Sequence, residues 1–340
     1  MRSLLLCSGA ALGLLACTSE ESPTGPATGT PPALAAVKTY TAVDLGVLPS
    51  SGLITFSIAD DINAAGQVVG ISSAAPGEIG HAFLWEKGTM TDLGTIDGTG
   101  NFSEALGINA AGDVVGWSFI LRESPQNETH AFLWSKGVMT DLGTLGGDES
   151  RAFDINPAGQ VVGTSFPAEG STSPIVFLWD KGVMTGLGFE GFTHESPVGI
   201  NPAGRVVAGG KLWDNGTLID LGTLGGCCTS ANAINAAGQV VGLSYLPGNE
   251  VYHAFLWKKG VMTDLGTLGE TSEARGINSK GQIVGTSGNR AFVWENGVMT
   301  ELISLDRRFS SQAEAINPAG EIVGNSNTER GLRATLWTRK

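Results

Sequence analysis

One set of four short phrases recurs seven times along this 340-residue chain, and a repeat of that length admits few folds. One copy reads HAFLW at 81–85, MTDLG at 90–94, ALGIN at 105–109 and GDVVGWS at 112–118. The Ile-Asn pair returns at Asn63, Asn109, Asn156, Asn201, Asn235, Asn278 and Asn317. The tryptophan returns at Trp85, Trp134, Trp179, Trp213, Trp257, Trp294 and Trp337, at intervals of 34 to 49 residues. Four short apolar runs within each such period are the pattern of propeller blades rather than of helical repeats. The expected architecture is therefore all-β: a seven-bladed β-propeller of four-stranded antiparallel blades.

The turns follow from their own chemistry. Each Ile-Asn is followed by two residues and a glycine, as in Asn63-Ala64-Ala65-Gly66 or Asn156-Pro157-Ala158-Gly159. Asn at the first position of a type I turn bonds its own backbone, Pro suits the second, and Gly accepts the left-handed conformation that closes the hairpin. A second tight turn follows every tryptophan but the last, as in Glu86-Lys87-Gly88. Each blade then reads as a meander: strand a ends in Ile-Asn, b is QVVG-like, c is FLW and d is MTDLG. Small residues near the end of strand a, such as Ala105 and Gly107, mark it as the crowded inner strand, and the polar residues of d mark the wetter rim. Fifty glycines and fourteen prolines at such fixed offsets are turn residues, not a sign of disorder.

The two ends complement each other. The repeat region opens with an isolated strand d (TAVDLG, 41–46) and closes with an isolated a, b and c ending at Trp337. The first strand is expected to complete the seventh blade and close the ring, removing the edges an open sheet would expose. A β-solenoid, the structural alternative, would need no such complementary ends. In a meander the tight a–b and c–d turns share one rim, and the b–c and d–a links, which vary in length from blade to blade, share the other. Variable loops on a rigid ring are the usual place for binding.

Residues 1–16 have the form of a signal peptide, with Arg2 ahead of an apolar run from Leu4 to Leu15 that is short for the roughly 20 residues of a membrane span. Leu14-Leu15-Ala16-Cys17 resembles the lipobox of bacterial lipoproteins, which implies a lipidated Cys17, a membrane anchor and placement in the outer membrane or at the cell surface. Plain secretion is the alternative. Residues 17–37 are rich in Ser, Thr, Pro, Gly and Ala and read as a tether of roughly 25 Å, so the folded body runs from 38 to 340. The formal charge of −13 without a basic stripe argues against a nucleic-acid partner. A monomer is expected.

Candidate chemistry is sparse. His81, His130 and His253 open strand c in three blades, where Ile175, Gly209, Arg290 and Arg333 stand in the others. Spread around a ring, they cannot meet on one metal, and a structural hydrogen bond is expected of them. The recurrent Asp44, Asp92, Asp141, Asp220 and Asp264 of strand d are expected, for the same reason, to be hydrogen-bond acceptors within the repeat. Gly186, Gly188 and Gly191 spell GxGxxG without a following helix, so a dinucleotide reading fails. More suggestive are residues entering strand a, which converge on the channel mouth: Glu104, Arg151 and Glu273 five positions before their asparagines, with Asp60, Asp61, Asp154, His194, Glu195 and Arg275 nearby. Such a ring could read a polar ligand or chelate Ca²⁺; the plain alternative, a solvated rim, is favoured by the surface preference of charges. No other cofactor and no catalytic residue is indicated. Cys227-Cys228 could form a vicinal disulfide, but adjacent Cα atoms about 3.8 Å apart fall below the usual range, so two free thiols are the default.

HAFLW at 81–85, MTDLGTLGG at 139–147 and the INAAGQVVGLS phrase at 234–244 resemble the repeats of bacterial extracellular HAF-repeat proteins, over nearly all of 40–340. The resemblance implies an exported repeat protein and supplies no catalytic residues. The expected function is a lipid-anchored, non-enzymatic binding or scaffolding module for a protein, peptide or glycan. The competing class is a propeller hydrolase or lyase acting on an extracellular polymer at the channel mouth. Clustered carboxylates with raised pKa in a deep pocket would favour the enzyme, and a shallow rim without them the binder.

Overall fold

The computed structural model describes residues 39–49, 55–73, 80–98, 102–120, 128–168, 171–190 and 198–340. The signal segment, Cys17, the tether, His194 and Glu195 lie outside the described residues. The described chain forms seven four-stranded antiparallel sheets, six of them in simple sequence order. The seventh is composite: Tyr40–Asp44 pairs antiparallel with Gly331–Arg339, Tyr40 opposite Arg339 and Asp44 opposite Thr335. The ring is thus a closed seven-bladed propeller, with every described blade paired inside residues 39–340.

The apolar side chains pack between blades rather than within them. Seven clusters each join two neighbours; one combines Val69 and Ala82 of the first blade with Ala105, Ile108, Val114 and Phe132 of the second. The consecutive valines of strand b point to opposite faces, and both Val68 and Val69 are fully buried because each blade is covered on both sides. The leucine that follows strand d, such as Leu93 after Asp92 or Leu302 after Glu301, packs into the adjoining cluster.

The repeated polar residues cross-link these seams. Ser103 Oγ donates to Gly94 O at 2.5 Å and accepts Ala82 N at 2.9 Å, tying the second blade to the end of the first. Ser150, Ser272 and Ser57 repeat the arrangement, Ser57 across the closure to Gly46 O and Ala334 N. His81, His130 and His253 place Nδ1 against Asp92, Asp141 and Asp264 at 2.8–2.9 Å, so they are structural partners as expected. Lys211–Asp220, Arg290–Glu301 and, at 4.0 Å, Arg333–Asp44 serve in other blades. In the fourth blade Gly209 holds the histidine's register, four residues before Trp213, and the cation comes instead from Lys211, which stands directly opposite Asp220 as Phe83 does opposite Asp92. The third blade replaces both partners at once, with Ile175 and Gly186; a Cβ on Gly186 would lie 2.8 Å from Ile175 Cδ1.

The asparagines do more than close turns. Asn63 Oδ1 accepts Ala65 N and Gln67 N, and its Nδ2 donates to Gln67 Oε1 and to Asn109 O in the next blade at 3.0 Å. The same step runs from Asn156 to Asn201, Asn201 to Asn235, Asn235 to Asn278, Asn278 to Asn317, and across the closure from Asn317 to Asn63. Six such links encircle the channel. The c–d turns are two-residue hairpins with both residues at positive φ, as at Lys87 (49°) and Gly88 (89°), the type I′ geometry that follows strand twist.

Closure makes the first strand a structural necessity. A chain beginning at residue 50 loses the buried Leu45 and Leu48 and exposes the edge of strand c in the last blade, so it is expected to melt well below the parent or to aggregate. A chain lacking 18–37 is expected to melt with the parent in calorimetry; equal melting of the two truncations would contradict a closed ring.

Candidate functional site

Strand a does not alternate cleanly, and that irregularity builds the channel. In six blades its pairing with strand b skips one residue after the buried alanine: Asp60, Leu106, Phe153, Asn232, Arg275 and Glu314 are the extra residues. A bulge of this kind turns one side chain out of the pleat. These six, with Val198 at the same place in the fourth blade, ring a cavity of 510 Å³ on the axis, joined by Asp61, Asp154 and Glu273.

Of the sequence candidates, Asp60, Asp61, Asp154, Glu273 and Arg275 line this cavity. Glu104 and Arg151 do not. Glu104 accepts Trp117 Nε1 at 2.9 Å, and the Arg151 guanidinium stacks 4.2 Å from the Trp117 ring, within an aromatic group formed with Phe102 and Phe119. In these two blades the long side chain five positions before the asparagine is drawn to Trp117 rather than to the axis, whereas Glu273 at the same position reaches the cavity. Glu314, Asn232 and Phe153 were missed. The available signal is that the buried alanine and isoleucine of strand a, Ala59 and Ile62, stand three apart, an odd spacing that requires an inserted residue between them.

One side of the cavity is a neutralised network. Arg275 reaches Glu314 Oε2 at 3.0 Å and Glu273 Oε2 at 3.1 Å, while Asn232 Nδ2 donates to Glu273 Oε1 at 2.8 Å. Burial works against the Arg275 charge, but Glu314 and Glu273 outweigh it and raise its pKa, holding the guanidinium firmly protonated. Burial raises the Glu314 carboxyl above its ordinary range despite that partner.

The opposite side holds three aspartates in two roles. Asp61 accepts Ile62 N and, from the next blade, Ile108 N at 2.9 Å; Asp154 accepts Ile155 N and, from the next blade, Ile200 N at 2.9 Å. Both carboxylates are therefore inter-blade clamps. Burial pushes Asp61 up to about 6 against those two donors. It pushes Asp154, with help from the Asp61 charge, to about 7. Asp60 differs: its Oδ2 is buried with no hydrogen-bond partner among the described residues, and burial together with the charges of Glu104, Glu314 and Asp61 raises its pKa well above the carboxylate range.

Among the described residues, no group of three or more His, Cys, Asp or Glu is arranged to hold a metal ion, and Arg275 occupies the space between Glu273 and Glu314. Cys227 and Cys228 are free, exposed thiols, and the hydrogen bond that the Cys228 thiol donates to Cys227 raises the pKa of Cys228.

No protein-family model and no curated protein sequence matches this chain. Solved structures do. The β-propeller domain of the trilobed protease from Pyrococcus furiosus, described as having an open velcro topology, is 11% identical with a TM-score of 0.56, over 84% of this chain and 97% of that one. A gluconolactonase from Xanthomonas campestris is 11% identical with a TM-score of 0.46, over 88% and 90% of the two chains. TolB from Acinetobacter baumannii is 16% identical with a TM-score of 0.38; the match covers 83% of this chain but only 57% of TolB. At these identities the protease domain supports the propeller fold alone, and here the ring is closed by the pairing of Tyr40–Asp44 with the last strand.

The raised aspartates make stability depend on pH. In the unfolded chain Asp154 ionises near its ordinary 3.8, in the ring near 7, so its contribution is fully present below about pH 4 and is lost as pH rises through about 7. Asp154→Asn is expected to flatten the fall in melting temperature between about pH 4 and pH 8 relative to the parent. An unchanged slope would show that Asp154 ionises normally in the ring.

Proposed function

We propose that this protein is an exported, lipid-anchored, non-enzymatic binding module whose ligand enters the ring from the variable-loop rim and presents a cationic or hydrogen-bond-donating group to the axial cavity. One observation carries the reading: among the described residues Asp60 Oδ2 stands without a partner, beside a cavity whose only lining cation, Arg275, is already matched by Glu273 and Glu314. A buried acceptor left unpaired costs about 1–3 kcal/mol, which a donor on a ligand recovers. The acid-rich lining favours amines and guanidinium groups, as carried by basic peptides or amino sugars, over anions.

The export and the anchor rest on the signal-like segment and Cys17. The ligand reading rests on the bulged ring, which differs from blade to blade while the seam residues repeat. Phe153 and Leu106 give the same cavity an apolar side, as mixed small-ligand sites have.

One observation favours the enzyme reading. Burial and the neighbouring carboxylates push the Asp60 carboxyl well above the ordinary carboxylate range, the direction a general acid needs. Against it, Asp61 and Asp154 already accept two backbone N–H groups each, so the raised carboxylates that would mark a catalytic pair are spent on the fold.

The test is a thermal-shift and calorimetric screen of the intact protein with amines, guanidines, basic peptides and glycans, followed by Asp60→Asn. Stabilisation by a cationic ligand is expected, with affinity at least tenfold lower in the variant (about 1.4 kcal/mol). Ligands that bind both forms equally would remove Asp60 from the site. Turnover of a polymer that Asp60→Asn abolishes would establish the enzyme instead.

A further inference from the structure

The lysines of this acidic chain are not scattered. Of nine, seven stand on the tight-turn rim: Lys87, Lys136, Lys181 and Lys259 at c–d hairpin tips, with Lys258, Lys280 and Lys340 beside them. With Arg205 and Arg339 they make nine cations against six acidic side chains on that rim, a positive face on a chain of net charge −13. Three of those acids, Glu86, Asp214 and Glu295, are already ion-paired. Lys136, Lys181 and Lys259 are exposed and make no ion pair among the described residues.

The hairpin tips themselves argue that these lysines are not there for the turn. Lys87, Lys136, Lys181 and Lys259 sit at φ of 49–52°, a left-handed conformation that asparagine accepts more readily than lysine. The fourth and sixth blades use Asn215 and Asn296 at the same place. Next to the tips the rim is apolar: Val138, Val183 and Val261 are each 64% exposed and Val298 is 61% exposed. The described chain also enters the ring here, for Thr39 O accepts Lys340 N at 3.0 Å.

We propose that the tight-turn rim is a docking face for an anionic lipid surface, with lysines reaching the headgroups and exposed valines entering the interface. The variable-loop mouth of the channel then faces away from the bilayer. The partner is a membrane rather than a protein because the cations form a ring at the outer edge of the face, matched to a laterally uniform negative charge, and because Thr39, the first described residue, stands on the same rim. This deepens the anchored-module reading and is tested without any acyl group, so that its failure leaves channel binding untouched.

The experiment uses the ring itself, residues 38–340, whose strand pairing is complete within it. It is sedimented with phosphatidylcholine vesicles, with and without phosphatidylglycerol, at low and high salt. The variant carries Lys87→Asn, Lys136→Asn, Lys181→Asn and Lys259→Asn, substitutions that the turns of the fourth and sixth blades already accept. The parent is expected to bind only the anionic vesicles and to release at high salt. Each lysine near an anionic surface contributes about fivefold (about 1 kcal/mol), so the variant is expected to bind at least about a hundredfold more weakly while melting at or above the parent's temperature. Absence of parent binding to anionic vesicles, equal binding by the variant, or binding that ignores lipid charge would each overturn the proposal.

Discussion

Everything in this ring depends on what a buried asparagine amide does with its four hydrogen-bonding positions. The oxygen takes two backbone N–H groups of its own turn, and the nitrogen gives one hydrogen to the turn's glutamine and the other to the neighbouring asparagine's carbonyl, as at Asn235. One residue thus fixes the shape of a blade and its distance from the next. The amides are 1–5% exposed, so an unmatched donor or acceptor there bears its full desolvation cost. The last step, from Asn317 to Asn63, joins residues 254 positions apart and shares the closure with the first strand.

With the seams secured by asparagine, serine and the acid–cation pairs, most repeated residues are committed to structure. What varies is the bulged residue of strand a and the loops of one rim. The bulge sends Asp60, Leu106, Phe153, Asn232, Arg275 and Glu314 onto the axis, and Val198 joins them from the regular fourth blade, so that seven different side chains meet in one cavity. Small or clamped neighbours allow this: a Cβ on Gly107 would lie 2.9 Å from Phe153 O, and one on Gly276 2.9 Å from Glu314 O. Asp61 and Asp154 fill the corresponding place in their blades by bonding across the seam instead.

The fold was legible because its determinants are local. Turn chemistry at Asn-x-x-Gly, the period of the tryptophans and the complementary terminal strands are each written in a few adjacent residues. That His81, His130 and His253 make structural hydrogen bonds rather than one metal site followed from their equivalence around the ring; that strand-d aspartates are their partners was not legible. The cavity was legible only in part. Asp60, Asp61, Asp154, Glu273 and Arg275 were placed correctly near the axis, but Glu104 and Arg151 were assigned by spacing alone and turn instead to Trp117. The direction of a side chain beyond a bulge depends on pairing with a strand that sequence alone does not display. The second bond of each asparagine was hidden for the same reason, since its acceptor lies in another blade.

The asparagine ring is tested most directly by Asn235→Asp, which keeps the oxygen that the turn's N–H groups need and replaces the nitrogen that bridges to Asn278. At neutral pH a buried carboxylate would face the Asn278 carbonyl and Gln239 Oε1, both acceptors. Denaturant unfolding is expected to show a loss of about 3 kcal/mol against the parent at pH 7. The new acid has a raised folded-state pKa, so the deficit should shrink as pH falls toward about 4, where the protonated carboxyl can donate again. Stability equal to the parent's at both pH values would contradict an architecture held by linked asparagines.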